Sequence, residues 1–368
     1  MTTNPARPFR IGLALDGAGW HPAAWRRSPV TEPATLFSGR YWADWGRASA
    51  AGGIGFVTLE DGLTAQTEQF GAVPADAESR VRGRLDPVVA AAVLLSASDV
   101  EEVVVTRNVT HANPFHVATQ LASLSAIGPG RVVWRPQVSA NARDATAVGG
   151  TPTPELRPDD IYVPTRIARR LRDLFRDAET FVRSVRDLWT TFPADGLGSG
   201  DTFWQPSRVG ALPGPAPAAG PLNVPVFSVP PVAALAHHAV EPYRLAAAVA
   251  DRVFVTPTGD QPLSVVLPAF REIEKLTPDA TATEVYADLA VILGDTDEHA
   301  RDRHAELDRT AGARWTTDTG VFTGSPVRLA EVLARWRDEH GLAGARLRPA
   351  VLPDDAERII RDVVPLLA

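Results

Sequence analysis

The chain has 368 residues, 45% hydrophobic and 22% charged, with a formal net charge of −7, a composition that builds a large packed core and argues against a nucleic-acid phosphate backbone as partner. Cysteine is absent and Lys275 is the one lysine, which excludes disulfides, thiolate chemistry, cysteine-held metal and a Walker-type phosphate loop, and leaves Schiff-base chemistry only a charged helix surface. The longest apolar stretch, Val88 to Leu95, is too short to span a bilayer, and Met1 to Phe9 lacks an apolar signal core, so no membrane is expected and the cytoplasm is the default compartment.

Strand-like runs recur along the chain with helix-like segments between them, the pattern of a parallel sheet wrapped by helices. Strands are expected at Arg10–Asp16, Phe56–Glu60, Glu102–Val109, Arg131–Val138, Val224–Val229, Arg252–Thr256, Val285–Leu293 and Ala345–Leu352. In the first, Gly12, Ala14 and Asp16 alternate with Ile11, Leu13 and Leu15, giving one small face and one bulky face, as suits a strand between a barrel interior and a ring of helices. Between Arg166 and Trp189 the apolar residues Ile167, Leu171, Leu174, Phe175, Phe181, Val182, Val185 and Leu188 make a 3.6-residue stripe. Ser325-Pro326 reads as an N-cap with proline at the first helical position, and Asp354 with Glu357 as a capping box. Three long segments break the rhythm at 17–39, 140–164 and 193–221, and long loops in a compact domain are commonly functional. With no repeat and no domain-sized shift in composition, residues 1–368 read as one domain.

Several runs resemble the luciferase-like flavin-dependent monooxygenases, in particular the branch with nitrilotriacetate and dibenzothiophene-sulfone monooxygenases: HPAAWR from His21, GFVTLEDGL from Gly55, THANPFHVATQLASL from Thr110, GRVVWRPQVS from Gly130 and GARLRPAVLPDD from Gly344, with VVPLL near the end. The resemblance implies an α/β fold, a (β/α)8 TIM barrel with its loop insertions at the C-terminal face, the face that carries the active site in such barrels. It further implies an oxidoreductase that holds FMN, reduced by a separate flavin reductase, and uses oxygen to oxygenate a small organic substrate. The cofactor then carries the hard chemistry, and the protein orients it and excludes water. A homodimer or homotetramer is the assembly the resemblance allows. A deazaflavin-dependent dehydrogenase is the second enzyme class for the same barrel, and a barrel without catalysis is the third reading.

Glu60 and Asp61 end the second strand and point to opposite faces. The resemblance gives Asp61 a catalytic contact to ring or substrate, with a salt bridge to Arg107, Arg346 or Arg348 as the alternative, and gives Glu60 a place beside the cofactor. His111, where strand three enters its loop, is the second catalytic candidate, because an imidazole at a barrel mouth can hold or move a proton near neutrality. His116 reads as a helix-packing residue. Asn108, Thr110, Trp134, Gln137 and Ser139 complete the expected cofactor contacts. Trp20, His21, Trp25, Phe203 and Trp204 read as a substrate wall or as ordinary loop packing. Two departures from the family pattern stand out. Arg135 or Pro136 replaces a common asparagine, and FSVPPVAALAHH from Phe227 replaces a Gly/Ser-rich phosphate cradle; Pro230 and Pro231 have no N–H to offer a phosphate. His237-His238, and His299 with His304, lack metal-ligand spacing. A glycosidase would need two opposed carboxylates, and only Asp16 and the Glu60/Asp61 pair are evident.

Overall fold

The computed structural model describes residues 8–30, 32–65, 83–150, 164–213, 219–237, 239–278, 280 and 282–367. In chain order these form β1 Arg10–Leu15, α1 Gly39–Ala51, β2 Phe56–Leu59, α2 Pro87–Ala97, β3 Val103–Asn108, α3 Pro114–Ile127, β4 Val132–Gln137, α4 Ala142–Ala147, α5 Pro164–Trp189, β5 Ala233–Ala236, α6 Val240–Val249, β6 Arg252–Val255, α7 Leu263–Leu276, β7 Glu284–Leu293, α8 Asp297–Ala311, β8 Val321–Gly324, α9 Pro326–His340, β9 Gly344–Pro349 and α10 Asp354–Arg358. All strand pairs are parallel, in the order β4-β3-β2-β1-β9-β7-β6-β5. The path closes where the Trp134 N–H donates to the Pro231 carbonyl at 2.8 Å, beside a bridge between Trp134 and Val232. The result is the expected (β/α)8 barrel with an additional short strand, β8, laid along the upper half of β7.

Two expectations are corrected. Val224–Val229 is not a strand: Val226 makes only an isolated bridge to Pro193, and β5 lies further on, at Ala233–Ala236. Valine and phenylalanine favour the pleated sheet in isolation, but a strand enclosed on both faces is chosen by burial, and small alanines fit there. The capping box is also absent, since α10 begins at Asp354 itself and that carboxylate pairs with Arg303 and Arg358. Ser325 does precede α9, without a side-chain cap.

The lumen is filled in layers. At its floor, Arg10 and Arg252 clamp Glu102, and Arg252 also reaches Glu284; Glu102 is held below the usual carboxylate range by these arginines in spite of its burial. Above lies an apolar plug of Phe56, Phe254 and Tyr286 with Val104, Val133 and Ala233, the three rings 5.5 to 5.8 Å apart. Gly12 faces this plug, and a Cβ there would overlap the Phe56 ring, which is the reason for the small face of β1. Helices seal the outside through a large cluster that includes Leu13, Leu59, Leu94, Leu121, Val182 and Leu188.

The expected insertions divide between the two rims. Segments 17–39 and 140–164 follow β1 and β4 and so open on the C-terminal rim, although 151–163 lie outside the described residues. Segment 193–221 joins the end of α5 to the approach of β5, and Val229, Pro230 and Pro231, which follow it on that approach, share a cleft with Arg252 and Glu284, which begin β6 and β7. That insertion therefore lies on the N-terminal rim. Replacing Phe254, 1% exposed at the centre of the plug, by alanine is expected to cost about 3–5 kcal/mol, read as a lowered urea midpoint with an unchanged slope; a loss below about 1 kcal/mol would show that the plug is loosely packed.

Candidate active site at the barrel mouth

Above the plug the lumen turns polar. The inward positions of β2 and its C-terminal end, β4, β7 and β9 carry Thr58 and Glu60, Arg135, Asp288, and Arg346 with Arg348, and these close into one network. Arg135 and Arg346 both pair with Glu60. Each of these arginines also donates through Nε to a threonine hydroxyl at 2.9 Å, Arg135 to Thr106 and Arg346 to Thr58. Arg346 Nη1 donates to Asp288 Oδ2 at 2.7 Å, and Arg348 Nε donates to the same oxygen at 2.9 Å. Arg348 then reaches Asp318, with Nη2 to Oδ2 at 3.1 Å, and His237 Nδ1 lies 3.3 Å from that carboxylate.

Desolvation alone would raise the pKa of Glu60, but Arg135 and Arg346 reverse it and bring it down from 4.5 to about 2. Asp318 is likewise held well below its ordinary value, chiefly because Arg348 outweighs its desolvation. Arg135 is lowered first by burial and then by Arg346 and Arg348, with Glu60 opposing. His237 is lowered by desolvation, which Asp318 only partly offsets. Desolvated ions are tolerated here because each guanidinium meets a carboxylate.

Trp20 covers the network. Its ring lies 4.7 Å from the Arg348 guanidinium carbon and 5.6 Å from that of Arg346, and its Nε1 donates to the Ala14 carbonyl at 2.7 Å. The preceding Gly19 has φ +128, and a Cβ there would collide with the Ala350 carbonyl, so glycine is what lets the loop fold back over the strand ends. Beside Trp20 a cleft of about 200 Å³ is bounded by Asp16, Gly17, Trp25 and Arg84, and Arg84 holds Asp16 through two bonds of 2.8 and 2.6 Å.

The structure distributes the residues expected from sequence. Glu60 faces the lumen; Asp61 faces away, accepting from the Asn108 N–H at 2.7 Å and the Gly62 N–H at 2.8 Å and pairing with Arg107 at 3.2 Å. Asn108 Oδ1 accepts from the His111 N–H at 3.0 Å. Thr110 accepts from the Ser139 N–H at 2.9 Å, and Ser139 donates to Asp144 at 2.7 Å. Asp61, Asn108 and His111 thus form one hydrogen-bonded chain at the strand ends, and Thr110, Ser139 and Asp144 a second beside it. His111 Nε2 is buried and has no hydrogen-bond partner among the described residues. Gln137, paired in register with Asn108, lies on the inward face by alternation from Arg135.

Trp134 points outward instead, packed on Trp189 of α5 at 6.0 Å. His21 is buried, its Nε2 3.2 Å from Asp308 and its ring 5.1 Å from Trp315, so it anchors the first loop to α8 at the lining of the cleft beside Trp20. Trp25 stacks with Arg26 at 4.4 Å at the cleft edge. Phe203, 84% exposed, and Trp204 belong to the insertion on the opposite rim. Pro230 and Pro231 also lie on that rim, before β5, so the segment that follows this strand at the mouth begins with His237; His238 lies outside the described residues.

Sequence reading missed Arg135, Asp288, Asp318 and His237 as parts of one site. The signal was present in β9, where Arg346 and Arg348 stand two apart in a strand whose every residue is buried, a spacing that puts both charges on one face. Among the described residues no group of histidine and carboxylate side chains could hold a metal ion, and no helix is long and apolar enough to cross a membrane.

Comparison with known proteins gives a family model described as luciferase-like monooxygenase, which matches residues 65–360. An N-acetyl-S-(2-succino)cysteine monooxygenase of Bacillus subtilis is 21% identical over 439 aligned residues, covering 99% of this chain and 93% of that protein. Nitrilotriacetate monooxygenase component A of Aminobacter aminovorans is 26% identical over 187 residues, 50% of this chain and 38% of that protein. Among solved structures, EDTA monooxygenase of Chelativorans sp. superposes with a TM-score of 0.79 at 19% identity, over 98% of this chain and 93% of that one.

The depressed pKa of Glu60 fixes a sign. Its contribution to stability is fully present above pH 4.5 and is lost as pH falls through about 2; the shift corresponds to about 3 kcal/mol. Glu60→Gln is expected to destabilise the protein at pH 7 by about 3–5 kcal/mol, because two guanidinium groups lose their partner, and to flatten the acid limb of a stability-against-pH curve measured by urea unfolding.

Proposed function

The chain belongs to the luciferase-like monooxygenase family, a flavin-dependent enzyme family, and from that membership we propose that it oxygenates a small organic substrate with FMN reduced by a separate flavin reductase. The observation that supports a flavin at this mouth is His111: a buried Nε2 without a protein partner among the described residues is completed by a polar atom of a ligand. Asn108 and Gln137 end adjacent strands next to it, and Thr110 and Ser139 fix the loop that follows β4. These residues fit the edge of a planar heterocycle rich in hydrogen-bonding atoms, and we assign them to holding and orienting it.

Reduced FMN, when bound, supplies the electrons and the reactivity toward oxygen. The protein's share is narrower. His111 Nε2 holds a hydrogen bond, or a proton, at the ligand edge. Asp61 acts at one remove, by pinning Asn108 and so the turn that carries His111. Glu60 keeps Arg135 and Arg346 neutralised and in place, so the base of the pocket presents fixed charges and dipoles. Trp20 and Trp25 provide an apolar wall at the first loop, the place where a substrate would be screened from solvent. Trp134, Phe203 and Trp204 are assigned no contact with ligand.

An anaerobic absorbance titration tests this. The wild-type protein is expected to bind reduced FMN, with His111→Ala weakening binding by about tenfold, the worth of one hydrogen bond to a buried partner, and with product formed only when a reductase, a reductant and oxygen are all present. Absence of binding to oxidised and reduced FMN at high micromolar concentration would end the proposal, and oxygen-independent turnover with a deazaflavin would replace it.

A further inference from the structure

Three arginines in the mouth, Arg135, Arg346 and Arg348, face three carboxylates, Glu60, Asp288 and Asp318. The carboxylates are not equivalent. Glu60 and Asp288 come from barrel strands and are enclosed; the Asp318 side chain is 40% exposed and comes from the loop before β8. That loop is held independently of Asp318: Thr319 Oγ1 donates to the Asp288 carbonyl at 2.6 Å, and the Gly320 N–H donates to the Pro257 carbonyl at 2.7 Å. Rotation of one exposed side chain therefore withdraws the Asp318 carboxylate without moving the backbone, on the fast timescale of surface rotamers.

Arg348 does not follow it. One edge of its guanidinium stays bonded to Asp288, and its flat face stays under the Trp20 ring. Withdrawal of Asp318 leaves a fixed guanidinium fork open toward solvent, and the Thr317 hydroxyl, 3.3 Å from Nη1, beside it. A buried guanidinium that loses its partner is costly, and a planar two-oxygen anion matches its fork. Exchange of Asp318 for an external carboxylate keeps the charge of the network unchanged.

We propose that Arg348 is the anchor for a carboxylate group of the substrate, and that Asp318 occupies its fork as an internal surrogate until that group arrives. The inference deepens the oxygenase reading, on which the word substrate rests, by naming an organic acid as the class accepted. The binding itself requires no flavin, so it is tested apart from that reading. His237, 3.3 Å from Asp318, becomes a second contact for whichever carboxylate sits in the fork.

The test uses the full flavin-free protein and isothermal titration calorimetry with succinate, its uncharged analogue succinamide, and inorganic phosphate. Wild-type protein is expected to bind succinate more tightly than succinamide. Asp318→Asn is expected to tighten succinate by about tenfold or more, because the open fork is a minor population in the wild type and removal of the competitor makes it the whole population, while leaving succinamide unchanged. Equal affinity of the wild type for succinate and succinamide would overturn the proposal, with no substitution involved. So would unchanged or weakened succinate binding in Asp318→Asn. If phosphate gained as much as succinate or more, the fork would be a site for the flavin's phosphate and the substrate assignment would fall.

Discussion

Charge neutrality inside a closed cylinder governs this molecule. A guanidinium in the middle of a barrel cannot reach water, so each must find a carboxylate across the lumen or beside it at the right height. Glu60 of the β2 end, Arg135 of β4, Asp288 of β7 and the two arginines of β9 meet that demand jointly, and because Glu60 gives one oxygen to each of two arginines while Asp288 shares a single oxygen between two, no pair is independent of the next. The register of these strands is thereby fixed by electrostatics as well as by hydrogen bonds. A slip of one residue would turn every one of these charges into the apolar layer beneath the helices. The aromatic plug below and Trp20 above complete the requirement by keeping water from competing.

This lattice also separates scaffold from chemistry. The two hydrogen-bonded chains that run from Asp61 through Asn108 to His111, and from Thr110 through Ser139 to Asp144, use polar side chains to tie strand ends and loops together, and leave the His111 Nε2 without a partner among the described residues. Side chains whose bonds are spent on their own backbone are good holders of geometry and poor reactants.

Much of the barrel was legible because its strands announce themselves by alternation. In β1 the small residues Gly12 and Ala14 mark the lumen, and the structure shows why, with Phe56 lying against Gly12. β5 was illegible because Ala233, Ala234 and Ala236 carry no preference that competes with the valines upstream; only enclosure on both faces selects them. β8 is a run of four residues whose pairing to β7 comes from the length of β7, a tertiary cause with no local trace. At the site, the parity of Glu60 and Asp61 was readable but its phase was not, since both neighbours are acidic; Phe56, four residues earlier and inside the plug, sets Glu60 inward. Misplacing β5 carried a further error with it, by lodging Pro230 and Pro231 at the functional rim and hiding His237, which stands there instead.

The seam between β4 and β5 differs from the other joins of the cylinder. Neighbouring strands elsewhere share ladders of three to six aligned residues, whereas here one bridge at Trp134 and Val232 does the closing. The barrel is thus a curled sheet held by a clasp. Breathing of such an object concentrates where fewest backbone bonds must break, so slack is confined to the side bearing the long helix α5 and its trailing insertion, and the arc from β2 through β1 and β9 to β7, which carries most of the arginine lattice, behaves as the rigid half.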